Sequence, residues 1–199
     1  MPDISDYLLN KYKEVFQISY VLSPIRNNDT YNHVLIEEDN SSHFQNLTIT
    51  NVPQNSILLD LRKVSKLNLG DKMNKVFKDT SGLFKCCDYL ILFSMDNQLF
   101  LIYIEMKSKG YKEEDISQKF KGAYCFIKYC DTILEQFFGL QNLSSTIVKM
   151  NKVLISKATL NKQPTNAKIT SIKDFYHYQV TINNKSASIQ FKKLCKDIF

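Results

Sequence analysis

The chain has 199 residues, of which 44% are hydrophobic and 23% charged, and its net charge is +6. This composition is typical of one globular domain and excludes a disordered or collagen-like chain. The apolar runs reach only about ten residues, so we expect no transmembrane helix. The sequence starts with polar and acidic residues instead of a basic segment and an apolar one. We therefore expect no signal peptide and a cytoplasmic location.

Charge is unevenly distributed along the chain. Residues 1–60 carry a net charge of −5 and residues 61–140 a net charge of +3, whereas residues 141–199 carry ten lysines and a net charge of +8. A basic segment of this kind is expected where a chain contacts a polyanion such as nucleic acid. Lysines that only solvate a surface would give the same gradient, so charge alone leaves both interpretations open.

The first third of the sequence predicts a helix followed by short elements. Apolar residues at near-helical spacing indicate a helix over residues 3–16. Partial alternation of apolar and polar residues favours a strand within residues 44–52. Residues 56–66 are ambiguous between strand and helix, and residues 71–78 form a short helix candidate.

Two apolar runs in the middle of the chain give the clearest pattern. Residues 86–95 and 99–107 are rich in β-favouring side chains, and the polar residues 96–98 connect them. Two such runs with a short polar connection predict an antiparallel hairpin that is buried on both faces.

A long amphipathic helix is predicted over residues 114–138, and Gly139 is suited to end it. Its apolar residues step by three and four along one stripe: Ile116, Phe120, Ala123, Ile127, Cys130, Leu134 and Phe137. Residues 149–156 predict a further strand. A second hairpin is predicted from residues 176–182 and 186–191, which makes a basic C-terminal hairpin within residues 172–199.

The five cysteines show no C-x-x-C pair and no zinc-ligand spacing. Most of them lie in or beside apolar runs, so we expect free and largely buried thiols. The three histidines are also scattered without ligand spacing, and the sequence gives them no role.

Charged residues gather at one end of the predicted central hairpin. Asp88 lies near the start of the first strand, and Glu105 and Lys107 lie two residues apart at the end of the second. Residues two apart in a strand point to the same face, and hairpin pairing brings Asp88 beside them in the favourable register. A surface ion pair across the two strands is the alternative interpretation, and it would contribute under about 1 kcal/mol.

Two close carboxylates at the margin of an apolar sheet repel each other and lose solvation. A hard divalent cation resolves this conflict, because oxygen ligands suit Mg²⁺ or Mn²⁺. The backbone carbonyl of Met106, between Glu105 and Lys107, is a third possible oxygen ligand. A metal ion bound there would polarise a phosphate, and Lys107 would orient the attacking water or stabilise developing charge.

This arrangement resembles the PD-(D/E)XK nuclease superfamily, in which an Asp opens one strand, E-x-K closes the next, and a helix and a strand follow. The resemblance covers residues 86–157. It implies an α/β (α+β) fold with a restriction-endonuclease-like core, that is, a central mixed β-sheet flanked by helices. Residues 1–199 would form one domain, with residues 1–80 and the C-terminal hairpin as elaborations of that core. By match to the motif, Asp88 and Glu105 would be metal ligands and Lys107 the catalytic lysine.

The resemblance also extends to residues outside the hairpin. Many members contribute an acidic residue from an N-terminal helix, and Glu14 is the candidate here as a further metal ligand. Many members place a Gln and a Tyr four residues apart on the following helix. Here Gln118 is followed by Tyr124, six residues later, so the match extends to Gln118 alone. That helix borders the active site in this fold, so Gln118, Lys119, Lys121 and Lys128 are candidates for contacting nucleic-acid phosphate. A solvated helix face would also explain these lysines.

The sequence therefore predicts a Mg²⁺- or Mn²⁺-dependent nuclease, with DNA placed ahead of RNA as the substrate. By analogy, it would be an effector subunit of a prokaryotic defence or restriction-type system, acting as a homo-oligomer or with an ATPase or sensor protein and without a membrane. Two alternatives stay open. The first alternative is an inactive scaffold or interaction subunit with the same fold. The second is a non-catalytic nucleic-acid-binding protein that uses its basic C-terminal segment.

Overall fold

A computed structural model describes residues 4–15, 21–36, 45–65, 85–96, 98–108, 110–139, 147–157, 168–172, 174–196 and 198. Within these residues the helices are α1 (Ile4–Val15), α2 (Leu61–Ser65), α3 (Glu113–Phe138) and α4 (Phe191–Leu194). The strands are β1 (Val21–Leu22), β2 (Ile25–Asn27), β3 (Thr30–Ile36), β4 (Asn46–Thr50), β5 (Ile57–Asp60), β6 (Tyr89–Met95), β7 (Gln98–Lys107), β8 (Ile147–Lys157), β9 (Lys168–Ile172), β10 (Phe175–Val180) and β11 (Ser186–Gln190). The mixed α/β class is as predicted.

The strands form two mixed sheets. The larger has the order β1-β5-β6-β7-β8-β10-β9, with parallel pairs at β7–β8 and β8–β10 and antiparallel pairs elsewhere. The smaller has the order β11-β4-β3-β2, with β11 and β4 parallel. Side chains of α1 and α3 pack on one face of the larger sheet, and the smaller sheet and α4 pack on the other. The larger sheet is therefore covered on both sides, which explains the continuous apolar runs of its central strands.

The predicted central hairpin is confirmed, with shifted ends. Tyr89 pairs with Ile104 and Met95 pairs with Gln98, so the connection has two residues instead of the predicted three. Asp96 in this connection has a φ of 51°, in the left-handed region that two-residue hairpin loops require. Strand β6 begins at Tyr89, so residues 86–88 precede it and are not part of it.

The long helix is confirmed as α3, which Gly139 ends in a left-handed conformation with a φ of 66°. Its predicted apolar stripe is buried from Ile116 to Leu134. Phe137 was predicted to belong to that stripe but is 80% exposed, and it lies in the last turn of the helix, after Leu134, the last buried residue of α3. The strand predicted over residues 149–156 is confirmed as β8, which is longer at both ends.

The predicted C-terminal hairpin is wrong. A tight turn does form, with a bridge between Asn183 and Ser186, but the strands on either side of it separate. Strand β10 joins the larger sheet beside β8, and β11 joins the smaller sheet beside β4. The burial patterns account for this separation. Four of the six side chains of β10 are buried, as in a covered strand, whereas in β11 only Ala187 and Ile189 face the core.

Of the other predicted elements, some are confirmed and one lies outside the described residues. The helix and the strand predicted there are confirmed as α1 and β4, and the ambiguous segment begins as β5 and continues as α2. The helix candidate at residues 71–78 lies outside the described residues. The five cysteines are free thiols, and three of them are buried. In the part of the chain that the structure describes, no helix is both long and apolar enough to cross a membrane.

Candidate functional site

The register of the central hairpin determines how the predicted site residues meet. Tyr89 pairs with Ile104, so the next position along this antiparallel register sets Asp88 opposite Glu105. Glu105 and Lys107 point to the same face as Leu101 and Tyr103, which pack beneath α3. Asp88, Glu105 and Lys107 therefore lie together on the face of the sheet that α3 covers.

Glu105 is the buried centre of this cluster, with no exposed surface. Its Oε1 atom lies 2.7 Å from Lys107 Nζ and 2.5 Å from Lys119 Nζ. Removing a carboxylate from water is costly unless nearby positive charge and hydrogen bonds compensate. The two ammonium groups supply this compensation, and both are only partly exposed, Lys107 at 27% and Lys119 at 19%.

Lys119 is held by the same carboxylate. Burial alone would lower its pKa, but the negative charge of Glu105 and the hydrogen bond to it raise the pKa of Lys119 above its usual range. The sequence predicts Lys119 as a nucleic-acid contact, whereas the structure directs it into the cluster from α3. The sequence signal for this contact is the position of Lys119 beside the apolar stripe, next to the buried Phe120. A side chain at that position can turn toward the sheet instead of toward solvent.

Asp88 is partly buried, and its Oδ2 accepts the backbone N–H of Met106 at 2.7 Å. Burial, followed by the negative charge of Glu105, raises the pKa of Asp88 from 3.8 to about 7, against the opposing effects of the Met106 N–H and the two lysines. A carboxyl with such a pKa takes up a proton near neutral pH unless a cation stabilises its charged form.

The second oxygen of Glu105 fits a metal ligand. Glu105 Oε2 is buried and has no hydrogen-bond partner in the described part of the chain. An unpartnered carboxylate oxygen inside a protein is rare and calls for an explanation such as an ion or a water molecule. Among the described residues, no three His, Cys, Asp or Glu side chains gather as a metal-binding group. The two carboxylates of Asp88 and Glu105 could still hold a hard divalent cation such as Mg²⁺, which usually keeps several water ligands and needs only one or two carboxylates from the protein.

The other predicted site residues lie away from this cluster. Glu14 is an exposed residue of α1 that pairs with Lys11 three residues earlier. Gln118 and Lys121 are exposed on α3, and the Lys128 ammonium lies 5.7 Å from the ring centre of Tyr124. In the described part of the chain, no hydrogen bond or ion pair joins these residues to Asp88 or Glu105, and their roles stay predictions.

A second polar group, which sequence patterns do not indicate, lies beside Lys107. Ser156 on β8 is the register partner of Lys107, and its Oγ lies 2.7 Å from His177 Nε2. The other ring nitrogen, Nδ1, lies 3.0 Å from the hydroxyl of Tyr111, in the loop that follows β7. Ser156 is 7% exposed and His177 is 9% exposed. Both strands carry further polar residues, such as Asn151 in β8 and Gln179 in β10, so the sequence pattern does not distinguish Ser156 and His177 from them.

No family model, no curated protein and no solved structure matches this chain. The fold established by the geometry is a mixed α/β arrangement of two mixed sheets with helices. The functional assignment therefore depends on the side chains of the site.

Proposed function

We propose that the chain is a metal-dependent nuclease that hydrolyses phosphodiester bonds, with DNA ahead of RNA as substrate. The observation that carries the proposal is the cluster of Asp88, Glu105 and Lys107, in which Asp88 accepts the Met106 N–H, Lys107 contacts Glu105, and the second oxygen of Glu105 is buried without a hydrogen-bond partner among the described residues. The order of β6, β7, α3 and β8 also matches the order on which the resemblance to the PD-(D/E)XK superfamily depends.

Mg²⁺ or Mn²⁺ held by Asp88 and Glu105 would polarise the phosphodiester and lower the pKa of an attacking water. The residues of the chain then divide the remaining work. Lys107, the more exposed of the two lysines, is suited to orient the water and to stabilise the charge that develops on the phosphate. Lys119 keeps positive charge beside the buried carboxylate and holds α3 against the site.

One feature favours the alternative of an inactive scaffold. Two ammonium groups already face Glu105 Oε1, and the Met106 N–H already occupies Asp88 Oδ2. A cluster neutralised in this way is stable without a metal ion. The two proposals differ in metal binding, since a scaffold of this kind has no need to bind Mn²⁺ through Asp88 and Glu105.

The remaining parts of the proposal depend on the resemblance alone. They are a role in a prokaryotic defence or restriction-type system, and a partner that is an ATPase, a sensor protein or a second copy of the chain. A plain nucleic-acid-binding protein is a further alternative. It is supported by exposed lysines in the C-terminal segment, such as Lys185 and Lys192. Its binding would weaken steeply with salt and would not depend on Glu105.

Cleavage assays with purified protein test the proposal. Plasmid, linear duplex DNA, single-stranded DNA and RNA are incubated with Mg²⁺ or Mn²⁺, and EDTA is added to parallel samples. We expect cleavage of at least one substrate that is lost with EDTA, in Glu105→Ala and in Lys107→Ala, but kept in Lys13→Ala. Lys13 is the matched control because it is a partly exposed lysine on α1 that none of the proposals uses. Cleavage that persists in Glu105→Ala and Lys107→Ala would indicate a contaminating enzyme and remove the support for the proposal.

A further inference from the structure

The hydrogen-bonded chain Tyr111–His177–Ser156 has a direction. Burial lowers the pKa of His177, despite the opposing charge of Glu113, which favours the neutral imidazole, in which one ring nitrogen carries a proton. A phenol hydroxyl is a better donor than acceptor, whereas an aliphatic hydroxyl is suited to both roles. The favoured arrangement has the Tyr111 O–H donating to Nδ1 and the Nε2–H donating to Ser156 Oγ.

In this arrangement the Ser156 oxygen accepts a hydrogen bond, so the hydroxyl proton of Ser156 is free to be donated to a group other than His177. In the described residues the hydrogen bond of Ser156 is the one to His177, in which its oxygen is the acceptor. Lys107 is the register partner of Ser156, and side chains at paired positions of neighbouring strands share a face. The hydroxyl proton and the Lys107 ammonium are therefore two donors on adjacent strands, at the same end of the sheet.

We propose that Ser156 and Lys107 form an anion-binding site for a non-bridging oxygen of the substrate phosphate, with His177 and Tyr111 as positioning residues that fix the direction of the Ser156 hydroxyl. This inference depends on the proposed function for the identity of the anion, a phosphodiester. Anion binding itself requires less of the chain than hydrolysis does, because it needs only two hydrogen-bond donors that can reach one phosphate oxygen.

The surroundings of Ser156 support a hydrogen-bonding role for its hydroxyl, beyond filling space in the strand. Ser156 is more than nine-tenths buried, in a strand whose neighbouring residues Leu154 and Ile155 are fully buried. Burying a polar side chain without a hydrogen bond costs free energy. Alanine would fill nearly the same volume without that cost. The rings of Tyr111 and His177 also meet edge to face, with centroids 5.3 Å apart, which restricts the imidazole further.

The first experiment tests the direction of the chain without any activity. Imidazole ¹⁵N shifts distinguish the two tautomers, and the His177→Gln variant identifies which signals belong to His177. We expect a protonated Nε2 and an unprotonated Nδ1 at pH 7.5 in the wild-type protein, and a mixture of tautomers in Tyr111→Phe. A protonated Nδ1 in the wild type would reverse the direction and overturn the proposal.

The second experiment measures binding of inorganic phosphate at saturating Mg²⁺ by chemical-shift titration. We expect Ser156→Ala and Lys107→Ala each to weaken phosphate binding by about tenfold, the loss typical of one hydrogen bond to a charged group. Ser156→Thr retains the hydroxyl and restores most of the affinity. Ser188→Ala, at an exposed serine of β11, is the matched control and leaves the affinity unchanged. Equal affinity in Ser156→Ala and the wild type would overturn the proposal.

Failure of this inference is distinguishable from failure of the proposed function. Cleavage that depends on Glu105 and Lys107, with phosphate binding that ignores Ser156, would support the nuclease and reject the anion site. Phosphate binding that depends on Ser156, without metal-dependent cleavage of any nucleic acid, would support the anion site and reject the nuclease. If both hold, Ser156→Ala and His177→Gln should lower kcat/KM by similar factors, and the double variant should lose little more, because the two residues act through one hydroxyl.

Discussion

The Lys119 ammonium lies 2.5 Å from Glu105 Oε1 and so connects the long helix to the central strand through a carboxylate that has no exposed surface. The contact joins the packing of the fold to the charge of the site. Changes at this pair should therefore alter stability and metal binding together, and in opposite directions.

Loss of Lys119 should destabilise the fold. Lys119→Met leaves the buried Glu105 charge with Lys107 as its remaining cation, and we expect a loss of about 1–3 kcal/mol, below the range for a fully buried pair because Lys119 is partly exposed. Urea unfolding at neutral pH measures this change. The double variant Lys119→Met/Glu105→Gln should recover most of the loss, because it removes the uncompensated charge as well.

Lys121→Met is the control for the Lys119 variants, since Lys121 is an exposed lysine on the same helix. We expect a change within about 0.5 kcal/mol for it. Equal destabilisation by Lys119→Met and Lys121→Met would show that the contact with Glu105 contributes nothing to stability.

The same substitution should strengthen metal binding. Lys119 places positive charge beside the two proposed ligands, so its removal should tighten Mn²⁺ binding by about tenfold, which corresponds to about 1.4 kcal/mol of relieved repulsion. Calorimetric titration of Mn²⁺ into the wild type, Lys119→Met and Lys121→Met measures this effect. Asp88→Asn should abolish the binding, and heat of Mn²⁺ binding that survives in Asp88→Asn would place the ion elsewhere.

Asp88 should make stability depend on pH. Its pKa is about 7 in the folded protein, against 3.8 as the reference, so the folded state retains a proton that the unfolded chain releases. The stability that Asp88 contributes is full below about pH 4 and is lost as the pH rises to about 7. The change is about 4 kcal/mol at most, and it should be absent from Asp88→Asn when urea unfolding is followed from pH 4 to 8.

The buried His33 opposes Asp88 in the same range of pH. Burial lowers the pKa of His33 from 6.5 to about 4, so its contribution is full above pH 6.5 and is lost as the pH falls to about 4. Asp88→Asn should therefore show stability that rises with pH more steeply than in the wild type. Asp29→Asn, at an exposed residue, is the control and should leave the profile unchanged. Parallel profiles for Asp88→Asn and the wild type would contradict the raised pKa.

The thiols should react in an order set by exposure. Cys125 is exposed, whereas Cys87, Cys130 and Cys195 are buried, and burial raises the pKa of all three. A disulfide reagent should therefore label Cys125 rapidly in the native protein and the buried thiols only on unfolding. Cys125→Ser should remove the fast phase, and a fast phase that persists in the double variant Cys125→Ser/Cys86→Ser, which also lacks the partly exposed Cys86, would contradict the burial of the other three thiols.

The sequence predicts the centre of the fold because local patterns determine it. The central hairpin and α3 are adjacent in the chain, and the apolar runs of the hairpin and the stripe of α3 each report the local environment. The same reasoning finds the predicted triad, since two-residue spacing sets Glu105 and Lys107 on one face. Asp88 needed only the hairpin register, which the short connection fixes.

The rest of the site depends on pairing between distant segments, which single-sequence patterns do not report. Ser156 and His177 meet because β10 lies parallel to β8. Ser156 lies beside Lys107 because β8 lies parallel to β7. The predicted C-terminal hairpin is wrong for the same reason. A favourable turn at residues 183–186 indicates where the chain reverses, but not which sheet each flanking strand joins.

The separation of β10 and β11 into two sheets also bears on synthesis of the protein on the ribosome. Strand β4 acquires its parallel neighbour only when residues 186–190 are available, about 140 positions later in the chain, and pairings of such long range form slowly. The Ser156 hydroxyl likewise lacks His177 until β10 has emerged. A nascent chain therefore holds Asp88, Glu105 and Lys107 well before it holds the complete polar site, and before β11 completes the smaller sheet.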